Sequence, residues 1–72
     1  MLLLTGATGS IGSRLLPLLL EQGQEVRCLV REPRRLGSRR VDVQIALGDL
    51  GEMSDPYLVR QALRGVDTVI HL

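Results

Sequence analysis

Lysine is absent from the chain, and all nine basic residues are arginine. A Walker-type phosphate loop, a Schiff base and a tyrosine–lysine catalytic pair each require a lysine side chain. These residues therefore cannot carry any of those three chemistries. The single histidine, His71, has no partner for nucleophilic or metal chemistry. This favours a role for His71 in strand packing or in supporting other residues.

Aromatic residues and cysteine are nearly absent as well. Tyr57 is the only aromatic residue, so the core must be aliphatic, and Tyr57 itself is expected to pack or to lie on the surface. Cys28 has no second cysteine to pair with and lies in an apolar run, which predicts a buried, inert thiol. With 72 residues the chain can form at most one small domain of marginal stability.

Long apolar runs are missing too. No run approaches the roughly 20 apolar residues of a membrane span, and the first residues lack the charged region of a signal peptide. The net charge of +1 suggests no nucleic-acid partner. We therefore expect a soluble, cytoplasmic protein that binds neither nucleic acid nor membrane.

The feature that the sequence does contain is a glycine turn at residues 5–12, Thr-Gly-Ala-Thr-Gly-Ser-Ile-Gly. An apolar run precedes it and a leucine-rich segment follows, which is the order strand, turn, helix. Gly6 suits a tight turn, Gly9 a close backbone approach to phosphate, and Gly12 close packing of helix on strand. The start of the helix would offer unpaired N–H groups to an anion. The turn therefore predicts a site for a dinucleotide pyrophosphate.

Hydrophobic spacing predicts four strands and two helices. The strands are expected at residues 1–4, 25–30, 41–47 and 66–72, and the helices at residues 10–22 and 56–64. The first helix is expected to bury a face that includes Ile11, Leu15, Leu18 and Leu19 and to bend at Pro17. Residues 32–40 are rich in charge, proline and glycine, which favours a loop with room for one turn.

The ends of the helices have their own signals. Gly23 and Gly65 are typical of positions that stop a helix. Asp55 followed by Pro56 is typical of a helix start, with a capping carboxylate and a proline in the first turn.

The order of these elements predicts an α/β fold, a partial doubly wound parallel sheet of the Rossmann type. The expected strand order is 3-2-1-4, with a helix on each face of the sheet. The first and fourth strands then meet at the topological switch point, where the glycine turn also lies.

Four pieces of the chain resemble the extended or atypical branch of the short-chain dehydrogenase/reductase superfamily. The glycine turn matches the TGxxGxxG loop of that branch, and residues 26–31 resemble its second strand ending in a basic residue. Residues 48–50, Gly-Asp-Leu, resemble its adenine-pocket turn, and residues 66–72 resemble its fourth strand. The resemblance spans essentially the whole chain.

The resemblance implies roles for individual residues. The pyrophosphate would lie on the backbone of the turn, whose candidate residues are Gly6, Thr8, Gly9, Ser10, Ile11 and Gly12. Asp49 would accept a hydrogen bond from the adenine amino group, and Leu50 would pack on the adenine ring. Without the resemblance, Asp49 is more simply a turn residue.

Arg31 bears on which cofactor is bound. NAD binders usually place an acidic residue at the end of the second strand for the ribose 2′-hydroxyl, whereas an arginine there suits the 2′-phosphate of NADP. Arg31 therefore favours NADP, with Arg35 as a second phosphate contact. Glu32 keeps NAD as the alternative. The competing interpretation is that the arginines of residues 31–40 form a solvated loop.

Two functions remain open. The first is the cofactor-binding part of an NAD(P)-dependent oxidoreductase or sugar-nucleotide epimerase/dehydratase. The second is a non-catalytic NAD(P)-sensing regulator or structural subunit on the same fold. The superfamily's catalytic tyrosine and lysine follow the fourth strand, so residues 1–72 are expected to be an amino-terminal half-domain that ends before the catalytic and substrate-binding parts. The outer edge of the fourth strand would then lie bare, which predicts self-association or partial folding.

Overall fold

The computed structural model describes residues 1–49, 51 and 54–72 of the chain. Its strands are β1 (Leu2–Thr5), β2 (Val26–Val30), β3 (Gln44–Leu47) and β4 (Thr68–His71), its helices are α1 (Gly12–Glu21) and α2 (Pro56–Leu63), and a 3₁₀ segment covers Pro33–Asp42.

The four strands form one parallel sheet in the order β3-β2-β1-β4. This confirms the predicted Rossmann-like fold and strand order. The apolar run at the start of the chain predicted a central strand, and all four residues of β1 are buried between β2 and β4. The register sets Thr5 beside His71 on one side and beside Leu29 on the other.

The two faces of the sheet pack against different helices because strand side chains alternate. On one face Leu4 and Cys28 are fully buried and belong to one apolar cluster with Leu16 of α1. On the other face Leu3 and Leu29 line an apolar groove together with residues of α2, including Ala62. Each face therefore carries one helix, as the crossover rules predict.

Helix α1 differs in detail from its prediction. The buried residues of α1 are Gly12 and Leu16. Leu15 and Leu19 are partly buried against the core, whereas Ile11 and Leu18 are 67% and 55% exposed. The expectation that these two residues face the core is wrong, because a nearly continuous leucine run fits several faces of a helix and only the packing selects one. Pro17 lies inside α1, and the helix continues to Glu21.

The predicted helix ends agree closely with the structure. Gly23 has a positive φ of 77°, and the N–H groups of residues 22–24 donate to carbonyls of the last turn of α1, a left-handed C-cap. At the start of α2, Asp55 Oδ1 accepts the backbone N–H of Tyr57 at 2.9 Å, and Pro56 is the first helical residue. This is the N-cap that Asp55 and Pro56 predicted.

Residues 32–40 do not form the predicted loop. A 3₁₀ segment begins at Pro33, and two helical stretches meet at Gly37, whose φ of 61° allows the change of direction. The segment extends to Asp42, so β3 begins at Gln44 rather than at residue 41, and Val41 is 87% exposed. The alternation of valine and isoleucine predicted a strand that is too long at its start, because the pattern does not show where the 3₁₀ segment ends and the strand begins.

Arg27 joins three elements. Its side chain lies on the α2 face of β2, where Nε and Nη2 donate to Gln44 Oε1 of β3 at 3.1 and 2.9 Å. Its Nη1 donates to the carbonyl oxygens of Gln61 and Ala62 at 3.2 and 2.6 Å. A guanidinium thus satisfies carbonyls at the carboxyl end of α2, which carries the negative end of the helix dipole.

Candidate functional site

A cleft of about 230 Å³ lies at the carboxyl ends of the strands. Its lining includes Gly6 and Thr8 after β1, Arg31 after β2, Asp49 after β3, and His71 at the end of β4. Residues far apart in the sequence meet here because parallel strands bring their carboxyl ends to one edge. Open α/β sheets bind ligands at this edge, beside the strand where the order reverses.

The glycine turn is shaped by close backbone contacts. Gly6 has a φ of 78°, and a Cβ added there would lie 2.9 Å from the carbonyl oxygen of Leu72. A Cβ on Gly12 would collide with the carbonyl of Gly6, and one on Gly9 would lie 3.3 Å from the same oxygen. Gly6 thus has the tight turn predicted for it, and Gly12 has the close packing predicted at the start of α1.

The start of α1 faces the open side of the turn. The residues before the helix (Thr8, Gly9, Ser10 and Ile11) are exposed, and Ile11 occupies the N-cap position. Among the described residues no side chain caps the helix. The N–H groups of Ser13 and Arg14 donate to the carbonyls of Gly9 and Ile11. Within the part of the chain that the structure describes, the N–H groups of residues 10–12 make no hydrogen bond and are available to an external acceptor. A phosphate fits this arrangement of unpaired donors and positive helix dipole.

The far wall of the cleft is an ion pair. Gly48 donates its N–H to the carbonyl of Val30 at 3.0 Å. This hydrogen bond holds the residues that follow β2 and β3 side by side. As a result Arg31 Nη1 lies 3.6 Å from Asp49 Oδ2. The other carboxylate oxygen, Oδ1, accepts the N–H of Gly51 at 3.1 Å. Asp49 therefore has the turn role expected from the residues alone and also faces the cleft, while Leu50 lies outside the described residues.

A smaller cleft of about 50 Å³ adjoins the first and is lined by Thr8, Val30, Arg31, Glu32 and Arg35. Thr8 and Arg31 border both clefts. Glu32 Oε2 lies 3.4 Å from Arg34 Nη2 and 3.7 Å from Arg35 Nε. The two arginines suggested for a 2′-phosphate thus share one small concavity with a single carboxylate.

The contact that the sequence did not reveal joins Thr5 to His71. Thr5 Oγ1 lies 2.6 Å from His71 Nδ1, between the carboxyl ends of adjacent strands. Both residues line the main cleft. The role of His71 in strand packing was expected, but its partner was not, because only the register of β1 with β4 pairs them. This hydrogen bond ties β4 to the strand that leads into the glycine turn.

Cys28 is buried and free. Burial in the apolar core raises the pKa of its thiol from 9.0 to about 11, because the thiolate would lose its hydration. The thiol does not line the cleft.

Comparison with known proteins identifies the chemistry of this edge. The sequence model of the NAD(P)H-binding family matches residues 6–72. The chain belongs to that family. It forms an NAD(P)-binding domain, and its cofactor is a nicotinamide dinucleotide.

A reductase of Streptomyces griseus that acts on (4-alkanoyl-5-oxo-2,5-dihydrofuran-3-yl)methyl phosphate is 42% identical over 69 residues, which cover 96% of this chain and 23% of that protein. A short-chain dehydrogenase/reductase from Agrobacterium tumefaciens with bound NAD matches 100% of this chain and 20% of its own at 30% identity and a TM-score of 0.76. MoeE5 in complex with UDP-glucose and NAD matches 99% of this chain and 21% of its own at 34% identity and a TM-score of 0.72. The NAD(P)H-binding domain thus spans about a fifth of the length of the proteins it matches.

The NAD(P)H-binding domain fits a dinucleotide on structural grounds. The turn keeps its shape only because a Cβ, which would collide with backbone atoms, is absent at Gly6 and Gly12. The adjacent helix start has no side-chain cap within the described residues, and arginines line the far end of the cleft. Among the described residues, no helix is both long enough and apolar enough to cross a membrane.

Proposed function

We propose that this domain binds NADP in preference to NAD and supplies the cofactor site of an oxidoreductase. The observation that carries the cofactor preference is the small cleft beside the main one. Arg31 and Arg35 both line it, and among the described residues Glu32 is the only acidic one in its lining. Two guanidinium groups in one concavity suit a dianionic phosphate through charge-assisted hydrogen bonds.

Different residues of the domain bind the pyrophosphate, the 2′-phosphate and the adenine of the cofactor. The turn from Gly6 to Gly12, with its backbone N–H groups around Ser10 and Ile11, holds the pyrophosphate. Thr8 borders both the pyrophosphate and the 2′-phosphate ends of the site. Asp49 accepts the adenine amino group, and Leu50 is proposed to pack on the ring. The bound cofactor supplies hydride transfer, whereas this domain binds and orients it.

Glu32 carries the alternative, which is NAD. A carboxylate after the second strand can accept the ribose 2′-hydroxyl, and both structural relatives described above contain NAD. In this domain Glu32 Oε2 lies between Arg34 and Arg35. Those pairings involve one carboxylate oxygen of Glu32 and also engage Arg35, so the preference for NADP rests on the two arginines of the small cleft.

The reaction of a whole enzyme depends on residues beyond the ones described here. We propose that residues 1–72 form the cofactor-binding segment of a longer reductase or sugar-nucleotide epimerase/dehydratase, in which other residues supply the catalytic groups and hold a small-molecule substrate. A non-catalytic NAD(P) sensor on the same fold is the alternative from another class. A tyrosine and a lysine four residues apart elsewhere in the protein would distinguish the enzyme from the sensor.

Replacing Arg31 by alanine tests the cofactor assignment. Loss of a charge-assisted hydrogen bond of about 1.5–3 kcal/mol should weaken NADPH binding roughly tenfold or more, with NADH binding nearly unchanged. Calorimetric titration of each variant with each dinucleotide measures both. The matched control is Arg39→Ala, since Arg39 lines neither cleft and its loss should leave both affinities in place.

Equal losses for NADPH and NADH in Arg31→Ala would contradict the 2′-phosphate assignment. Circular dichroism of each variant shows whether the domain remains folded during the titration.

A further inference from the structure

The arginine proposed for the 2′-phosphate already has an anionic partner within the protein. Arg31 Nη1 lies 3.6 Å from Asp49 Oδ2, with 71% of the Arg31 side chain and 36% of the Asp49 side chain exposed. The Asp49 carboxylate is fixed in place because its Oδ1 accepts the N–H of Gly51. Glu32 has a comparable relation to Arg34 and Arg35. Both arginines that line the small cleft are therefore paired with carboxylates.

We propose that Asp49 sets the selectivity of the site between NADP and NAD by competing with the 2′-phosphate for Arg31. The inference rests on the proposed function and deepens it. The adenine contact proposed for Asp49 does not depend on the 2′-phosphate, whereas its pairing with Arg31 affects only a cofactor that carries one. Asp49 is thus a specificity-determining residue in addition to a contact residue.

Two electrostatic effects act in the same direction. Moving Arg31 toward a 2′-phosphate weakens its pairing with Asp49, and pairs exposed to this degree contribute up to about 1 kcal/mol. The negative charge of Asp49 also repels a dianion bound beside Arg31. NAD has no phosphate at that position, so neither effect reaches it. Removing the charge of Asp49 should therefore strengthen NADPH binding relative to NADH binding.

The ratio of the two affinities isolates this effect. NADPH and NADH share adenine, pyrophosphate and nicotinamide, so any change in the adenine contact of Asp49 cancels in the ratio of their dissociation constants. Asn at this position retains an oxygen that can accept the N–H of Gly51, so the turn is preserved. If Asp49 had only a structural role, Asp49→Asn would weaken the binding of NADPH and NADH equally and leave the ratio unchanged.

The experiment is a double-mutant cycle on the full chain with NADPH and NADH as the titrants. In Asp49→Asn the ratio of the NADH to the NADPH dissociation constant should rise about three- to fivefold, which corresponds to an exposed ion pair. In the Arg31→Ala background the same substitution should change the ratio less than about twofold, because the partner is gone. Asp42→Asn is the matched control, since it removes the same charge from the cleft at the amino ends of the strands.

The outcomes separate this inference from the function on which it rests. If the wild-type chain binds both dinucleotides and Asp49→Asn leaves the ratio unchanged or lowers it, competition for Arg31 is wrong and the proposed function stands. An equal rise of the ratio in the wild-type and Arg31→Ala backgrounds would also overturn the coupling through Arg31. Only direct repulsion between Asp49 and the 2′-phosphate would then remain. A wild-type chain that is folded by circular dichroism and binds neither dinucleotide would overturn the proposed function, and this inference with it.

Discussion

At the scale of single residues, the site combines groups that the sequence places far apart. Arg31 and Asp49 follow strands β2 and β3, and each has a plain structural explanation: a solvated loop arginine and a turn aspartate. The fold adds a second role by bringing them to 3.6 Å at the wall of one cleft. Local chemistry therefore explains which groups are available, and the parallel sheet explains why they act together.

Cys28 is the residue whose ionisation couples to stability. Its pKa in the folded chain is about 11, against an ordinary value of 9.0. Since the folded value is raised, the neutral thiol is favoured by folding, and this contribution is complete below pH 9. It is lost as the pH rises from 9 towards 11, at about 1.4 kcal/mol per pH unit.

The expected outcome is a steeper fall of unfolding free energy above pH 9 in the wild type than in Cys28→Ala, which lacks the thiol. Urea unfolding followed by circular dichroism at pH 8, 9 and 10 provides the comparison. The alanine variant should start lower because it leaves a cavity, so the slopes are compared and not the absolute values. Parallel slopes would show that the thiolate is not penalised in the folded state.

At the scale of elements, Arg27 determines how α2 meets the sheet. Its guanidinium binds Gln44 in β3 and two carbonyls at the end of α2. Replacement by methionine keeps an apolar stem but leaves those carbonyls without their donor. We expect a loss of about 1–3 kcal/mol in unfolding free energy.

Arg60→Met is the matched control for Arg27. Arg60 is an exposed arginine of α2, the helix that Arg27 contacts. Its substitution should change the unfolding free energy by less than about 0.5 kcal/mol. Urea denaturation of both variants measures the difference. Similar losses of unfolding free energy in the two variants would contradict the role of Arg27 in joining α2 to the sheet.

How far the elements were predictable depends on the kind of signal each one carries. The start of α2 at Pro56 and the stop after α1 at Gly23 were readable, because a cap or a positive φ depends on local chemistry. The strand order followed from chirality rules for crossovers. The buried face of α1 was not readable from a leucine run, and neither was the Thr5–His71 hydrogen bond, which depends on the register of β1 with β4.

At the scale of the whole molecule, the two edges of the sheet are unequal. On the β3 side, the 3₁₀ segment and α2 both contact the strand. On the other side β4 pairs with β1 alone among the described residues. Val69 in β4 is 53% exposed and lines the apolar groove that also contains Leu3, Leu29 and Leu63. An open edge beside an apolar groove is a template for pairing with another strand.

Self-association through β4 is therefore expected when residues 1–72 are studied alone. Sedimentation equilibrium should show dimers or larger species, or circular dichroism should show a partly folded chain. Val69→Lys places a charge on the open edge and should shift the population toward monomer, because edge lysines oppose strand pairing. Leu47→Lys is the matched control at the other edge, where Leu47 is 62% exposed in β3, and it should leave the assembly unchanged. A wild-type chain that sediments as a clean monomer and unfolds in one sharp two-state transition would show that the β4 edge needs no partner.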